Sequence, residues 1–255
     1  MGSRFGQISL NPIFFKGKLL RRSPGEKDML ISDDPPFLFI HVDKAAGTSI
    51  QAALRPYAIP RTRNRLRKRL VMLGGMNRLF NTHRLLEFSE HVTAAVVKNC
   101  LPPEAYTRLF KFAFVRNPWD RMVSKYAHLL RREQHPRHER VKAMHDFTEF
   151  LQWELKRAEA LQSSYVCDAD DRFIVDFVGY FEKLPEHFTR VCEHLKIQPG
   201  LENKNTSAHQ DYRTYYTPVT RELVAKHFRR DIELFGYEFD GLPANTSPKG
   251  LKTDI

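Results

Sequence analysis

Two short segments of the chain carry side chains that could bind anions. In residues 37–50, an apolar run is followed by Lys44 and then by a glycine and two hydroxyl residues. In residues 110–126, a second apolar run ends at Arg116, and Ser124 follows in the same segment. Lysine and arginine attract phosphate groups, and hydroxyls add hydrogen bonds to them. Two segments of this kind predict a ligand with two separate phosphates rather than ATP.

The first segment predicts a strand, a turn and the start of a helix. Residues 37–42 are apolar apart from His41, which is typical of a parallel strand buried on both faces, and residues 48–57 have the pattern of a helix. The turn residues are Lys44, Ala45, Ala46, Gly47, Thr48 and Ser49. A helix N-terminus presents unpaired N–H groups, and a glycine beside it lets the backbone approach a phosphate closely. The lysine precedes the glycine, unlike in the Walker A pattern GxxxxGK(S/T), so this turn alone is a weak signal.

The second segment is longer and more specific. Residues 110–115 predict another buried strand, and Pro118 lies where a proline is favoured in the first turn of a helix, here expected to run to residue 132. Arg116 can bind a phosphate through two parallel hydrogen bonds, and the Ser124 hydroxyl can add another. This segment therefore predicts the second phosphate site.

The rest of the chain predicts the elements that must position these residues. We expect a strand at residues 173–178, helices at 146–160, 185–195 and 217–235, and an exposed loop at 132–145. Strands that alternate with helices favour an α/β fold with a parallel sheet. We expect an N-terminal arm at residues 1–35, a folded domain at 36–240 and a C-terminal tail at 241–255.

Together the two segments resemble the signature of sulfotransferases that use 3′-phosphoadenylyl sulfate (PAPS). That signature pairs strand-PKxGGTS with strand-VRNPWDRxxSxY, and the version here is similar to the family-2 carbohydrate sulfotransferases, especially their compact bacterial members. The resemblance extends over roughly residues 37–237 and includes an Asn-Thr-Ser segment at 205–207. The chain departs from the pattern at three positions: Asp43 replaces a proline, and Ala45 and Ala46 replace a threonine and a glycine.

The resemblance implies a fold and a set of roles. The fold would be a P-loop-like, three-layer α/β domain with a central parallel sheet flanked by helices. Residues 44–49 would hold the 5′-phosphosulfate of PAPS, and Arg116 and Ser124 its 3′-phosphate. The reaction would transfer the sulfuryl group by in-line displacement to a hydroxyl of a carbohydrate or glycolipid acceptor, without a metal.

Two histidines between the segments are candidates for the catalytic base. His91 precedes a predicted helix in a stretch similar to the His-Leu-Thr-Ala stretch of the family, and His83 is the alternative. An imidazole suits proton transfer near neutral pH. Lys44 is the candidate for stabilising the leaving oxygen. Because of the three departures, one alternative stays open: the chain is a relative of these enzymes that binds the nucleotide but does not catalyse the transfer.

The composition limits the class of protein and of partner. Lysine and arginine exceed aspartate and glutamate by 11, which favours an anionic partner such as a nucleotide, a glycan, a lipid headgroup or nucleic acid. The three cysteines lack CxxC spacing, and no apolar run approaches the ~18 residues of a membrane span. We therefore expect a cytoplasmic protein without a disulfide framework or a zinc site, with a peripheral contact at the inner face of a membrane as an option. Neither the acceptor nor the oligomeric state can be derived from the sequence.

Two other classes of function remain alternatives. The basic stretch at residues 61–69 would suit a protein that binds nucleic acid or another polyanion, but the chain lacks the usual RNA-binding and zinc-finger patterns. A nucleotide kinase with a degenerate P-loop would need ATP and an acidic metal ligand after a buried strand. Neither class accounts for the motif around Arg116, so we expect no nucleic-acid partner.

Overall fold

A computed structural model describes residues 29–59, 88–157, 160–198, 200 and 210–251. The basic stretch at 61–69, the candidate base His83 and the segment at 205–207 lie outside the described residues.

The described residues contain a four-stranded sheet, with strands in the order β1-β2-β3-β4. Its strands are β1 (Leu30–Asp33), β2 (Pro36–Ile40), β3 (Phe110–Val115) and β4 (Phe177–Tyr180). The pairs β2–β3 and β3–β4 are parallel, with Phe39 opposite Phe112 and Phe112 opposite Phe177, whereas β1 pairs antiparallel with β2. Every residue of β3 is buried, as expected of a central strand that is covered on both faces.

Ten α-helices accompany the sheet in the described residues. They are α1 (Gly47–Leu54), α2 (Ala94–Cys100), α3 (Pro103–Arg108), α4 (Pro118–Arg131), α5 (His138–Lys142), α6 (Phe147–Lys156), α7 (Ser163–Val166), α8 (Leu184–Leu195), α9 (Pro218–His227) and α10 (Arg229–Phe235). Short 3₁₀ helices occupy Arg55–Tyr57, Phe181–Lys183 and Tyr212–Tyr215. The predicted α/β fold with a mostly parallel sheet flanked by helices is confirmed.

Local chemistry explains several helix ends. The Asn117 side chain accepts a hydrogen bond from the Trp119 N–H at the start of α4, and Asp146 accepts one from the Glu149 N–H at the start of α6. Gly236, with φ of 70°, ends α10 in the left-handed conformation that glycine adopts at little cost. These ends lie close to the boundaries that the sequence predicts.

Three sequence predictions need correction. The segment at 132–145 is not all loop: it contains α5, because His138 and Val141 are buried and the His138 Nδ1 lies 2.9 Å from the Leu129 carbonyl oxygen. The last predicted helix is two helices, α9 and α10, which separate at the fully buried Phe228. The predicted strand at 173–178 is displaced to Phe177–Tyr180.

The edge strand β1 was not predicted, and it lies within the segment expected to be an arm. Its pairing with β2 brings residues before Pro36 into the sheet. Leu242 and Leu251, in the segment expected to be a tail, pack against the core. The domain boundaries stay a prediction, but ordered packing extends beyond both of them.

Two apolar clusters form the core of the part of the chain that the structure describes. The first surrounds the sheet and includes Phe37, Phe112 and Phe177, and the second includes Trp119 and Phe150. Helix α4 contributes its apolar face to the second cluster, and it follows β3, which lies in the first. None of the helices that the structure describes is long and apolar enough to cross a lipid bilayer.

Candidate functional site

The two predicted anion-binding segments meet at one edge of the sheet. Because β2 and β3 are parallel neighbours, the loops that follow them leave from the same edge. The Nη1 of Arg116 donates a hydrogen bond of 3.4 Å to the carbonyl oxygen of Lys44, across 72 positions of sequence. The two candidate phosphate-binding cations are therefore neighbours, as binding of one compact ligand requires.

The backbone turns sharply between β2 and α1. Lys44 and Ala46 have φ angles of 66° and 62°, in the left-handed region that costs a residue with a Cβ roughly 1–2 kcal/mol. The Ala46 carbonyl then accepts from the N–H groups of Ser49 and Ile50, which begins the helix. Backbone strain of this kind is common where a loop is shaped for a ligand.

Gly47 is required by the ring of His41. A Cβ added at Gly47 would lie 1.8 Å from the His41 Nε2, which no real contact allows. The His41 ring is buried below the loop, and its Nδ1 lies 2.8 Å from the Glu90 carboxylate. The sequence suggested that this glycine opens space for a phosphate, and the structure adds that it makes room for the imidazole.

The two alanines that depart from the family pattern face the core. Ala45 is buried in the cluster around the sheet, and Ala46 packs against that cluster. Their methyl groups thus contribute to packing at the base of the loop.

Lys44 lies in a strongly positive environment. Burial lowers its pKa to about 8, even though the charge of Asp43 opposes the shift. Positive charges on three neighbouring side chains act in the same direction as burial: Arg116, Arg131 and Lys125. A bound anion would relieve this mutual repulsion.

The carboxylate of Asp43 is held by cations. Burial alone would raise its pKa, but the charges of Lys125, Arg121 and Lys44 lower the Asp43 pKa to about 2. The Nζ of Lys125 lies 3.8 Å from the carboxylate, and the Nε of Arg121 donates to the Asp43 carbonyl at 3.1 Å. The Asp43 carboxylate is therefore ionised and surrounded by positive charge.

Side chains from three elements fix the position of Arg116. Gln162 accepts from the Arg116 N–H at 2.9 Å and donates to its carbonyl at 2.8 Å. The Nε of Arg116 donates to the Asp120 carboxylate at 2.7 Å, and its guanidinium lies 4.0 Å from the centre of the Phe181 ring. The side chain is thus oriented by contacts within the protein.

Two residues that follow Arg116, Asn117 and Ser124, are also buried. The Asn117 N–H donates to the Glu182 carboxylate at 2.7 Å, and desolvation raises the pKa of that carboxyl. Ser124 is buried on α4, the helix that Arg116 precedes. The assignment of Ser124 to a 3′-phosphate stays a prediction.

His91 lies on the turn before α2 and is exposed. Its Nδ1 lies 3.4 Å from the His41 carbonyl oxygen, and since a carbonyl can only accept, this geometry favours a proton on Nδ1 and a lone pair on Nε2. The cap of α2 is Thr93, whose side chain accepts from the Val96 N–H, and not His91. The geometry is compatible with a base, and that role stays a prediction.

A cavity of about 1020 Å³ adjoins Lys44 and His91. Its walls come from the end of β2, from α4 and α6 and from the turn before α5. They are formed by Asp43, Lys44, His91, Lys125, His128, Leu129, Gln134, His135, Pro136, Arg137, Glu154, Arg157, Ala160 and Tyr165. Lys44 and His91 thus line the same cavity, which is large enough for an acceptor.

Sequence reasoning missed several residues of the site. Asp120 had a usable signal, because it lies one helical turn after Arg116, at the spacing of an i,i+4 ion pair. Gln162 and Glu182 had none, since they lie 46 and 65 residues from the backbone groups that they bind. Across the described ranges, no group of three or more His, Cys, Asp or Glu side chains is arranged to hold a metal ion.

Comparison with known proteins shows the family of the chain. The sequence model of the sulfotransferase family matches residues 27–238. An uncharacterised protein of Archaeoglobus fulgidus is 25% identical over 132 residues, which are 47% of this chain and 96% of that protein. Among solved structures, mouse sulfotransferase SULT7A1 complexed with PAP aligns over 80% of this chain and 86% of its own, with 12% identity and a TM-score of 0.47. Because the family match spans most of the chain, including both anion loops and the sheet between them, this protein belongs to the sulfotransferase family, as the sequence motifs indicated.

Proposed function

We propose that the protein transfers the sulfuryl group of PAPS to a hydroxyl of a carbohydrate or glycolipid acceptor. The observation that carries the proposal is that the parallel pairing of β2 and β3 places their following loops side by side, where the Arg116 guanidinium donates to the Lys44 carbonyl. Membership of the sulfotransferase family supports sulfuryl transfer as the reaction class.

The residues at this edge fit a nucleotide with two phosphates. The lowered pKa of Lys44 reflects burial and surrounding cations, and anionic groups would stabilise that arrangement. In the proposal, residues 44–49 bind the 5′-phosphosulfate through the helix N-terminus and the hydroxyls of Thr48 and Ser49. Arg116 and Ser124 bind the 3′-phosphate.

In the proposed reaction, Lys44 and His91 have different roles. PAPS, when bound, supplies a sulfuryl group attached to a phosphate that leaves with added negative charge. Lys44 would stabilise that charge from a fixed position, which is an electrostatic contribution of the kind that usually dominates group transfer. His91 would accept the acceptor hydroxyl proton on Nε2, while the His41 carbonyl holds its Nδ1–H.

A thermal-shift series tests the donor. Adenosine 3′,5′-bisphosphate (PAP) should raise the melting temperature more than AMP or ATP, because only PAP offers a phosphate to each loop and ligand binding stabilises the folded state. Equal stabilisation by AMP and PAP would contradict a site for the 3′-phosphate.

Three variants separate binding from catalysis. Arg116→Ala should weaken PAP binding, whereas Lys44→Ala should retain much of the binding and abolish transfer. His91→Ala should bind PAP like the wild type and lower turnover by about 10²–10⁴-fold, the usual contribution of a general base. Wild-type turnover of His91→Ala would exclude that residue as the base.

A further inference from the structure

The cavity beside Lys44 and His91 has an excess of positive charge. Four lysine and arginine side chains line it, against two carboxylates, within the part of the chain that the structure describes. The cations are Lys44, Lys125, Arg137 and Arg157, and the carboxylates are Asp43 and Glu154. Lys44 is assigned to the donor in the proposed function, so an acceptor that enters this cavity faces the other three cations and the two carboxylates, an excess of one positive charge.

One buried carboxylate is shared among three of these cations. Glu154 lies 2.9 Å from the Nζ of Lys125, and both of its oxygens accept from the Nη1 of Arg137, at 2.8 and 3.0 Å. The Nε of Arg157 lies 3.7 Å from the same carboxylate. The Asp43 carboxylate lies 3.8 Å from the Nζ of Lys125, so two negative charges face these three positive ones and the wall around Glu154 keeps a net positive charge.

The two arginines differ from Lys125 in their access to the cavity. The Lys125 side chain is only 7% exposed, whereas those of Arg137 and Arg157 are 27% and 50% exposed. A guanidinium has five N–H donors in a plane, so it can bind Glu154 and still offer donors to a second planar anion.

Two histidines in the cavity suit the recognition of neutral hydroxyls. Burial and the charges of Lys44 and Arg132 lower the pKa of His128 to about 4, and burial and Arg137 lower the pKa of His135. Near pH 7 both rings are therefore neutral, and a neutral imidazole both donates and accepts hydrogen bonds. The volume of about 1020 Å³ lies at the upper end of small-molecule sites, which leaves room for more than one sugar ring.

We propose that this cavity binds an acceptor that carries a carboxylate near the hydroxyl to be sulfated, and that Arg137 and Arg157 bind that carboxylate. The inference rests on the proposed function, since it takes Lys44 and His91 as the point of transfer. It narrows the acceptor class from carbohydrates in general to acidic ones such as uronic acid glycosides.

Two small glycosides test the charge preference directly. 4-Nitrophenyl β-D-glucuronide and 4-nitrophenyl β-D-glucoside differ at one carbon, which is a carboxylate in the first and a hydroxymethyl group in the second. With PAP bound to the wild type, calorimetry should show the glucuronide binding at least about tenfold more tightly, the size of one charge-assisted hydrogen bond. Equal affinities, or no binding of the glucuronide, would overturn the proposal.

A matched pair of variants assigns the preference to the cavity. Arg157 and Arg140 both lie over the Trp153 ring, at 4.9 and 5.1 Å, but Arg140 does not line the cavity. Arg157→Gln should reduce the preference for the glucuronide several-fold, whereas Arg140→Gln should keep the wild-type preference. An unchanged preference in Arg157→Gln, or an equal loss in both variants, would refute the role of Arg157.

The same samples distinguish this inference from the proposed function. If PAP stabilises the protein and the glucuronide has no advantage, the acidic acceptor is wrong and the donor assignment stands. If PAP itself fails to stabilise the wild type, the proposed function fails first.

Discussion

At the residue scale, Lys44 is the side chain on which the proposed binding and catalysis both depend. Lys44 lies in the turn after β2 and has a left-handed backbone conformation. Its carbonyl accepts a hydrogen bond from Arg116, and its side chain is one of those that line the cavity. Lysine normally titrates near 10.5, but here burial and three neighbouring cations lower the pKa to about 8. Without a bound anion, the charged form of the Lys44 side chain is therefore less stable than that of an exposed lysine.

This lowered pKa predicts proton uptake when PAP binds. A phosphate near Lys44 should restore its pKa toward 10.5, so between about pH 8 and 10.5 the bound form holds a proton that the free form has lost. Calorimetry in buffers of different ionisation enthalpy should detect about 0.9 proton taken up at pH 9 and almost none from this group at pH 7. The apparent affinity for PAP should fall by up to about tenfold per pH unit above pH 8.

The direction of the Lys44 pKa shift also fixes how this lysine affects the stability of the fold as the pH changes. Since the folded-state pKa of Lys44 lies below the ordinary value, its protonation destabilises the fold without ligand, and that cost is fully present below about pH 8 and gone above about pH 10.5. Lys44→Ala is the control, because it should bind PAP with no uptake at pH 9. Equal uptake in the variant and the wild type would show that another group titrates.

At the element scale, the site depends on how β3 is anchored where it ends. Arg116 lies one residue beyond β3, and Gln162, which precedes α7, forms both hydrogen bonds to its backbone. Gln162 itself donates its N–H to the fully buried Asp231 carboxylate of α10 at 2.7 Å. The C-terminal helices therefore help to fix the arginine assigned to the 3′-phosphate.

Replacing this glutamine should weaken both the fold and nucleotide binding. Gln162→Leu leaves the N–H and the carbonyl of Arg116 buried without this partner, at about 1–3 kcal/mol for each group, so we expect a loss of about 2–6 kcal/mol in the free energy of unfolding. Urea denaturation measures this loss, and calorimetry should show weaker PAP binding in the folded variant.

The matched control is Gln134→Leu, the same substitution at an exposed position. It should change stability by less than about 0.5 kcal/mol, as is usual for surface sites. A Gln162→Leu variant as stable as this control would mean that other groups, or water, satisfy the Arg116 backbone.

At the scale of the whole molecule, the candidate site joins the two apolar clusters. The first loop extends from the cluster around the sheet, to which Ala45 belongs. Ser124 lies on α4, whose Trp119 and Met122 belong to the second cluster. A ligand that contacts both loops should therefore stabilise both parts of the molecule.

Hydrogen exchange tests this linkage. Saturating PAP should slow amide exchange in both α1 and α4, by up to about 100-fold at a ligand concentration of 100 Kd for amides that exchange through global opening. AMP, which lacks the 3′-phosphate, should protect α1 more than α4. The same protection pattern with AMP and PAP would contradict the division of the two phosphates between the loops.

The sequence by itself determined the positions of the two candidate anion loops, the α/β class and the family resemblance. These depend on contiguous patterns: an apolar strand, a turn with Lys44 or Arg116, and a helix start, each within one short segment. The strand at Phe110–Val115 and the helix that follows it were predicted almost to the residue, because the local apolar pattern and Pro118 act on neighbouring residues. Short helices with mixed charge, such as α5, were missed because burial of a few side chains stabilises them.

Only the tertiary structure decided which contacts support the candidate site and which side chains line the cavity beside it. The two bonds between Gln162 and Arg116, and the contacts of the buried Glu154 with Lys125 and Arg137, join residues that are distant in sequence. No local pattern encodes these contacts, since each forms only when the sheet and helices pack. The physical reason is that charge and hydrogen-bond complementarity depend on distances in space, which the chain fixes only by folding.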